Sequence, residues 1–273
     1  MDQTERRRFL IRALLDEQPQ YRGMDIPGSE DEQKRLLRSL FNIRMPADIN
    51  SDFIRIQDEY LRQRNFENGI VYVQDIPAVS ETGSTCPFSD KMSLWQGDIT
   101  RLAADAIVNA ANSQMLGCFV PMHTCIDNCI HTFAGIQLRA ECSRRMEELR
   151  DIYGPDYEQP TAVPMLTEGY NLPAKKVIHI VGPIVTGSLS KRHEQELSDC
   201  YRNILDLCLE NGLGSVAFCC ISTGVFRFPA KRASGIAVQT VTRWFSEHPG
   251  ADIRVIFNVF KDEDREYYGQ ELY

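Results

Sequence analysis

The amino-acid sequence predicts an α/β fold, a central sheet covered by helices on both faces. Three observations carry that expectation. From about residue 92 onward, short apolar segments alternate with amphipathic ones, the pattern of strands and helices in turn. Residues 161–167 and 177–181 carry apolar runs, as strands buried on both faces require. Each segment rich in polar or metal-binding groups begins where a strand ends, and open α/β sheets bind ligands at that edge.

Composition narrows the class further. A chain of 273 residues accommodates one large domain, or one domain with an appendage. The formal net charge of -8 argues against general nucleic-acid binding, because an acidic chain repels phosphodiester backbones. No apolar run approaches the ~18 residues of a membrane span. The charged start, Met1 to Arg8, lacks the apolar segment of a secretion signal, so no membrane is expected and a cytoplasmic location follows. Nine cysteines, an odd number with Cys219 and Cys220 adjacent, suit a reducing compartment.

Residues 1–73 predict a helical extension. Phe9, Leu10, Ala13 and Leu14 form the buried stripe of a first helix over 4–17, which Pro19 ends. Ser29 with Glu32 is a capping-box pair that opens a second over 31–41. Ser51 or Asp52 caps a third, with Phe53, Ile56, Tyr60 and Leu61 inward. Nothing here has catalytic spacing, and its charge-rich faces read as solvated surface. Residues 74–91, with Pro77, Gly83, Ser84 and Pro87, read as a connector, and 92–273 as the main domain. There the pattern predicts a strand from 92, strands at 106–108, 161–167, 177–181, 215–220 and 253–259, and helices at 125–150, 193–210 and 229–247. Residues 101–104 form a short helical turn, and 262–273 a helix or a frayed end.

The chemistry concentrates in residues 109–131. Asn109 and Asn112 follow a strand; Cys118, His123 and Cys125 then stand in the spacing C-x4-H-x-C, and Asp127 follows two positions later. Two thiolates and an imidazole suit zinc, and three ligands leave open the coordination position a catalytic site needs. Two alternatives stay open at this level. Cysteine is also a small core hydrophobe, and a structural zinc would recruit a fourth ligand, for which Cys129 is nearest. His131 and His179 read as packed, hydrogen-bonding groups. Ser222, Thr223, Gly224, Val225 and Phe226 lie between a strand and a helix, where several N–H groups point at one anion. The H-x-E and P-C-x-x-C elements of zinc nucleobase deaminases are absent.

Asn109-Ala110-Ala111-Asn112-Ser113, with Gly97-Asp98-Ile99-Thr100 before it and Asp127-x-x-Ile130-His131 after it, resembles the signature of macrodomains. Gly169-Tyr170-Asn171-Leu172-Pro173, Val177-Ile178-His179-Ile180-Val181-Gly182-Pro183 and Ser222-Thr223-Gly224-Val225-Phe226 continue that resemblance in the family's order, over roughly residues 90 to 262. Where many macrodomains carry a short Gly-rich loop, this chain has Gly117-Cys118-Phe119-Val120-Pro121-Met122-His123-Thr124-Cys125, similar to the zinc-dependent branch, microbial protein-ADP-ribose hydrolases. It departs from the family at Arg227, where Gly is usual.

The resemblance implies a mixed central sheet and the hydrolysis of the bond joining ADP-ribose to a modified protein. It implies that Asp98 reads the adenine amine, that the Ile99 backbone contacts the ring and that Phe260 or its neighbour lies against it. Residues 222–226 would hold the diphosphate and Asn112 the distal ribose. Asp127 would orient water or act as a general base, beside zinc on Cys118, His123 and Cys125. The implied partners are ADP-ribose and a mono-ADP-ribosylated protein, such as a lipoyl carrier modified by a sirtuin-like transferase. A non-catalytic ADP-ribose reader and a deacylase of O-acyl-ADP-ribose are the alternatives, since one pocket serves all three.

Overall fold

The computed structural model describes residues 1–273. Six strands form the central sheet: β2 (Met92–Gln96), β4 (Ala106–Ala110), β5 (Met165–Glu168), β6 (Lys176–Ile180), β7 (Ser215–Phe218) and β8 (Arg254–Val259). Their order is β2-β8-β7-β4-β6-β5, and every neighbouring pair is parallel except β5–β6. The sheet is therefore mixed, with one antiparallel edge strand. A separate pair, β1 (Val71–Tyr72) with β3 (Leu102–Ala103), ties the end of the extension to the main domain. The helices are α1 (Gln3–Glu17), α2 (Glu30–Ile43), α3 (Ser51–Glu67), α4 (Ile126–Ala134), α5 (Ile136–Tyr153), α6 (Lys191–Glu210), α7 (Ala230–Glu247) and α8 (Asp262–Leu272). Those after residue 92 flank the sheet. None is long and apolar enough to cross a membrane.

Local physics explains where sequence and structure part. The single helix expected over 125–150 is two helices, broken at Gly135. Gly135 has φ +96°, and a Cβ there would lie 2.7 Å from the Gln57 amide nitrogen. The carbonyl of Ala134 turns to accept from the Asn171 side chain (2.9 Å). The strand expected over 161–167 shortens to β5, leaving Thr161 as an isolated bridge to Val181. Residues 99–101 take the short helical turn, whereas Leu102 and Ala103 pair with β1. Asn50, one residue before the expected caps, caps the N-terminus of α3 by accepting from Phe53 N at 2.8 Å.

The extension has its own core. Leu10, Ile11, Leu37, Phe53 and Leu61 are buried together, and Ile136 of α5 joins them. Each such side chain contributes roughly 1.5–3 kcal/mol relative to exposure, so the three helices hold one another and dock on α4 and α5. The charge-rich faces are not uniformly solvated. Arg7 and Arg44 are buried, and Arg44 forks onto both oxygens of Glu17 at 2.7 and 2.9 Å.

Candidate active site

Because β2, β8, β7 and β4 are parallel, their C-terminal ends open on one edge of the sheet. The motif segments leave that edge in a row. Asp98 and Ile99 follow β2, Phe260 follows β8, residues 222–226 follow β7, and Asn112 with the Cys/His loop follows β4. Three interstrand spacings span about 14 Å.

At the β2 end, Asp98 Oδ1 accepts from Thr100 N (3.0 Å) and Thr100 Oγ1 (2.7 Å), which leaves Oδ2 for another donor. Ile99 is buried, and Phe260 is exposed. In the β7 loop, Ser222 is buried in the left-handed region (φ +65°), its Oγ pressed against Gly182, where a Cβ would come within 2.1 Å. Thr223 N–H donates to Cys220 O, Arg227 N–H to Gly224 O and Phe228 N–H to Ser222 O. The N–H groups of Gly224, Val225 and Phe226 have no acceptor in the chain, as an anion cradle requires. Arg227 has φ +58°, a conformation that costs a non-glycine residue about 1–2 kcal/mol. The position thus needs the geometry that glycine supplies, and Arg227 adopts it.

At the β4 end, Cys118, His123 and Cys125 are half-buried with their donor atoms within 4.8 Å of one another. Cys118 Sγ lies 3.4 Å from His123 Nδ1. A tetrahedral zinc with bonds of about 2.0–2.3 Å needs donors roughly 3.3–3.8 Å apart, so the residues fit that ion. Cys129 stands outside the set; its Sγ faces Arg38 Nη2 at 3.5 Å. Burial, with the Cys118 thiol beside it, pushes the Cys125 thiol up to about 12. A bound cation would favour the Cys125 thiolate over this raised thiol.

Asp127, in the first turn of α4, is buried next to this cluster. Its Oδ1 accepts from Asn109 Nδ2 at 2.8 Å, and Asn112 Nδ2 lies 3.4 Å from Oδ2. Burial raises its pKa to about 6, against the lowering effects of the Asn109 hydrogen bond and the Arg139 charge. Behind it, Asn109 Nδ2 also donates to His179 Nδ1 (3.0 Å), so His179 Nε2–H faces Thr167 Oγ1 (3.0 Å). His179 is the packed, hydrogen-bonded histidine expected. His131 differs from expectation: both ring nitrogens are buried without a hydrogen-bond partner, and Nε2 stops 3.5 Å from Asp127 Oδ1. Its ring instead packs under Gly117, where a Cβ would come within 2.8 Å.

A mixed, mainly parallel sheet with polar groups ranged along one C-terminal edge is the α/β arrangement whose ligand crevices lie at that edge. Comparison with known proteins gives the family. The macro domain family model matches residues 108–237. A protein-ADP-ribose hydrolase of Treponema medium is 48% identical over 99% of each chain. One of Staphylococcus aureus (strain Mu50) is 37% identical over 97% of this chain and 94% of its own. Among solved structures, the Trypanosoma brucei macrodomain in complex with ADP superposes with a TM-score of 0.64 at 29% identity, covering 88% of this chain and 96% of that one. The Oceanobacillus iheyensis macrodomain with ADP gives 0.58 at 34%, covering 66% and 89%. The chain belongs to the macrodomain family.

Sequence reasoning misses Arg38, Asn42, Asn128 and Arg139, whose side chains surround the Cys/His loop. A lone arginine or asparagine on a charged helical face carries no periodic signal, and its partner lies about 90 residues away.

Proposed function

We propose that this protein is a hydrolase that removes mono-ADP-ribose from modified proteins, with zinc on Cys118, His123 and Cys125. One observation carries the reading: the order of groups along the sheet edge follows the order of parts in ADP-ribose. Asp98 Oδ2 suits the adenine amine, and the exposed Phe260 suits the adenine face. The free N–H groups of residues 224–226 suit the diphosphate, with Ser222 and Thr223 shaping their loop. Asn112 and Asp127 meet the distal ribose. Full-length similarity to proteins called protein-ADP-ribose hydrolases supports the same activity.

In this reading, Asn112 is the ribose-orienting group, held by its contacts to Gly117 O and Asp127. Asp127 takes the proton of the attacking water. A carboxylate within hydrogen-bond reach of a water can serve as its general base. Cys118, His123 and Cys125 would hold the zinc, which would supply Lewis acidity to this end of the crevice. The protein substrate, as a lipoyl carrier modified by a sirtuin-like transferase, and the cytoplasm as its place are the finer parts of the proposal. They rest on the family resemblance and on cysteine usage.

The test is release of free ADP-ribose from a mono-ADP-ribosylated protein before and after metal removal, with circular dichroism to follow the fold. Release that vanishes without metal and returns with zinc is expected. Tight ADP-ribose binding without release would replace the hydrolase with a reader, and release from O-acyl-ADP-ribose alone would make it a deacylase.

A further inference from the structure

The N-terminal extension reaches the Cys/His loop through a set of hydrogen bonds. Arg38 of α2 donates from Nη2 to His123 O (2.7 Å) and to Asn128 Oδ1 (3.0 Å). Asn128, so oriented, donates from Nδ2 to Cys118 O (3.2 Å) and Val120 O (3.0 Å). Asn42, also on α2, accepts from Met122 N–H (3.0 Å) and donates to Thr132 Oγ1 (2.8 Å), which donates on to Asn128 O (2.6 Å). From the other side, Arg139 of α5 donates to Leu116 O (2.7 Å) and to the carbonyls of Phe41 and Asn42 (3.0 Å each) at the end of α2. Its guanidinium also covers the Phe119 ring at 4.3 Å.

The loop needs such support. Residues 118–125 contain no helix or strand, and Met122 sits at φ +59°. A non-glycine residue in that region costs about 1–3 kcal/mol and persists only where its surroundings over-determine it. Within the loop the one backbone hydrogen bond is His123 N–H to Val120 O (3.2 Å). The geometry of the three ligands therefore depends on groups outside the loop, and α2 supplies two of them.

We infer that α2 of the extension is part of the metal site: Arg38 and Asn42 are positioning residues that hold Cys118 and His123 in their zinc-binding arrangement. The inference rests on the proposed zinc site and deepens it. It makes residues 1–73 a component of the centre, so that the unit able to bind metal tightly is the whole chain.

The experiment measures zinc affinity by competition with a chelating dye in the full-length protein and in Arg38→Leu, Asn42→Ala and Arg35→Ala. ADP-ribose affinity is measured in parallel. Loss of an outer hydrogen-bonding partner typically lowers metal affinity 10–100-fold. Arg38→Leu and Asn42→Ala are expected to lose zinc affinity about tenfold or more and to keep ADP-ribose affinity, since Asp98 and residues 222–226 are untouched. The exposed Arg35, with no contact to the loop, is the control and is expected to behave as wild type. Arg38→Lys, whose ammonium keeps the charge and can also donate to two acceptors from one nitrogen, is expected to recover part of the loss. Wild-type zinc affinity in folded Arg38→Leu and Asn42→Ala would overturn the inference while leaving the zinc site standing. A wild-type chain that binds no zinc would overturn both. If Arg38→Leu does not fold, Asn42→Ala decides.

Discussion

Cys118, His123 and Cys125 form one close cluster of soft donors in this protein; His131, Cys142 and His179 form another, equally tight. By residue type the two are nearly interchangeable. By environment they are opposites. The first is half-buried at the C-terminal edge of the sheet, on a loop with little structure of its own. The second is fully buried between β6, α4 and α5, and the ring nitrogens of His179 are already engaged by Asn109 and Thr167. Burial pushes the Cys142 thiol up and lowers the His179 pKa to about 3. A metal there would need a bare thiolate in an apolar interior and a lone pair that His179 lacks. Donor identity alone does not make a metal centre; open access and free lone pairs do. Asp127 lies between the clusters, bonded through Asn109 to His179 and adjacent to the loop in sequence.

The largest expected contrast comes from the outer cluster. Cys118→Ser should lower ADP-ribose release roughly 10³-fold, the several kcal/mol a Lewis acid contributes. Zinc content by elemental analysis should fall toward zero, with thermal unfolding little changed. A collapse of the fold instead would make the outer cluster structural and erase the distinction. Asp127→Asn should cost about 10²–10³-fold in release, the usual effect of losing a general base, while zinc content stays at one per chain. Loss of zinc in that variant would move Asp127 into the ligand set.

The inner cluster should answer in stability. His179→Ala opens a cavity and strands the Asn109 and Thr167 groups, so urea unfolding should show a loss of about 3 kcal/mol with one zinc per chain retained. Reduced zinc content there would show that the inner site also holds metal. The smallest effect is in pH. His179 stays neutral in the fold down to about pH 3 but takes a proton near 6.5 when unfolded, so the unfolded chain binds more protons between those values. Its contribution to stability is intact above pH 6.5 and declines on acidification, by up to about 2 kcal/mol between pH 7 and 5. Asp127, raised to about 6, acts oppositely: protonation between roughly 3.8 and 6 favours the fold. His179→Ala should therefore have a flatter stability profile than wild type from pH 7 to 5; an unchanged slope would mean that His179 is charged in the fold.

Much of this was readable before any coordinates. Asn109, Asn112, Cys118, His123, Cys125 and Asp127 fall within 19 residues, so one loop and one helix turn bring them together. Asp98, residues 222–226 and Phe260 were readable because each follows an apolar run that has to be a strand. The break at Gly135 was not readable. The apolar pattern continues through it, and its cause is Gln57, on a helix 78 residues earlier in the chain. The same holds for His131, which shares a helical face with Asp127 yet packs under Gly117 without a hydrogen bond.

Strand and helix alternation, the loop spacing and the acidic charge are local or additive properties, so they survive in a linear string of residues. The spatial order β2-β8-β7-β4, which ranges Asp98, Phe260, residues 222–226 and Asn112 in one row, exists only after the strands pair. So does the reach of Arg38 and Asn42 across some 80–90 residues to the Cys/His loop. Hydrogen bonds of that range depend on where two packed helices leave their side chains, which burial of Leu37, Phe41 and Ile136 decides and no spacing rule encodes.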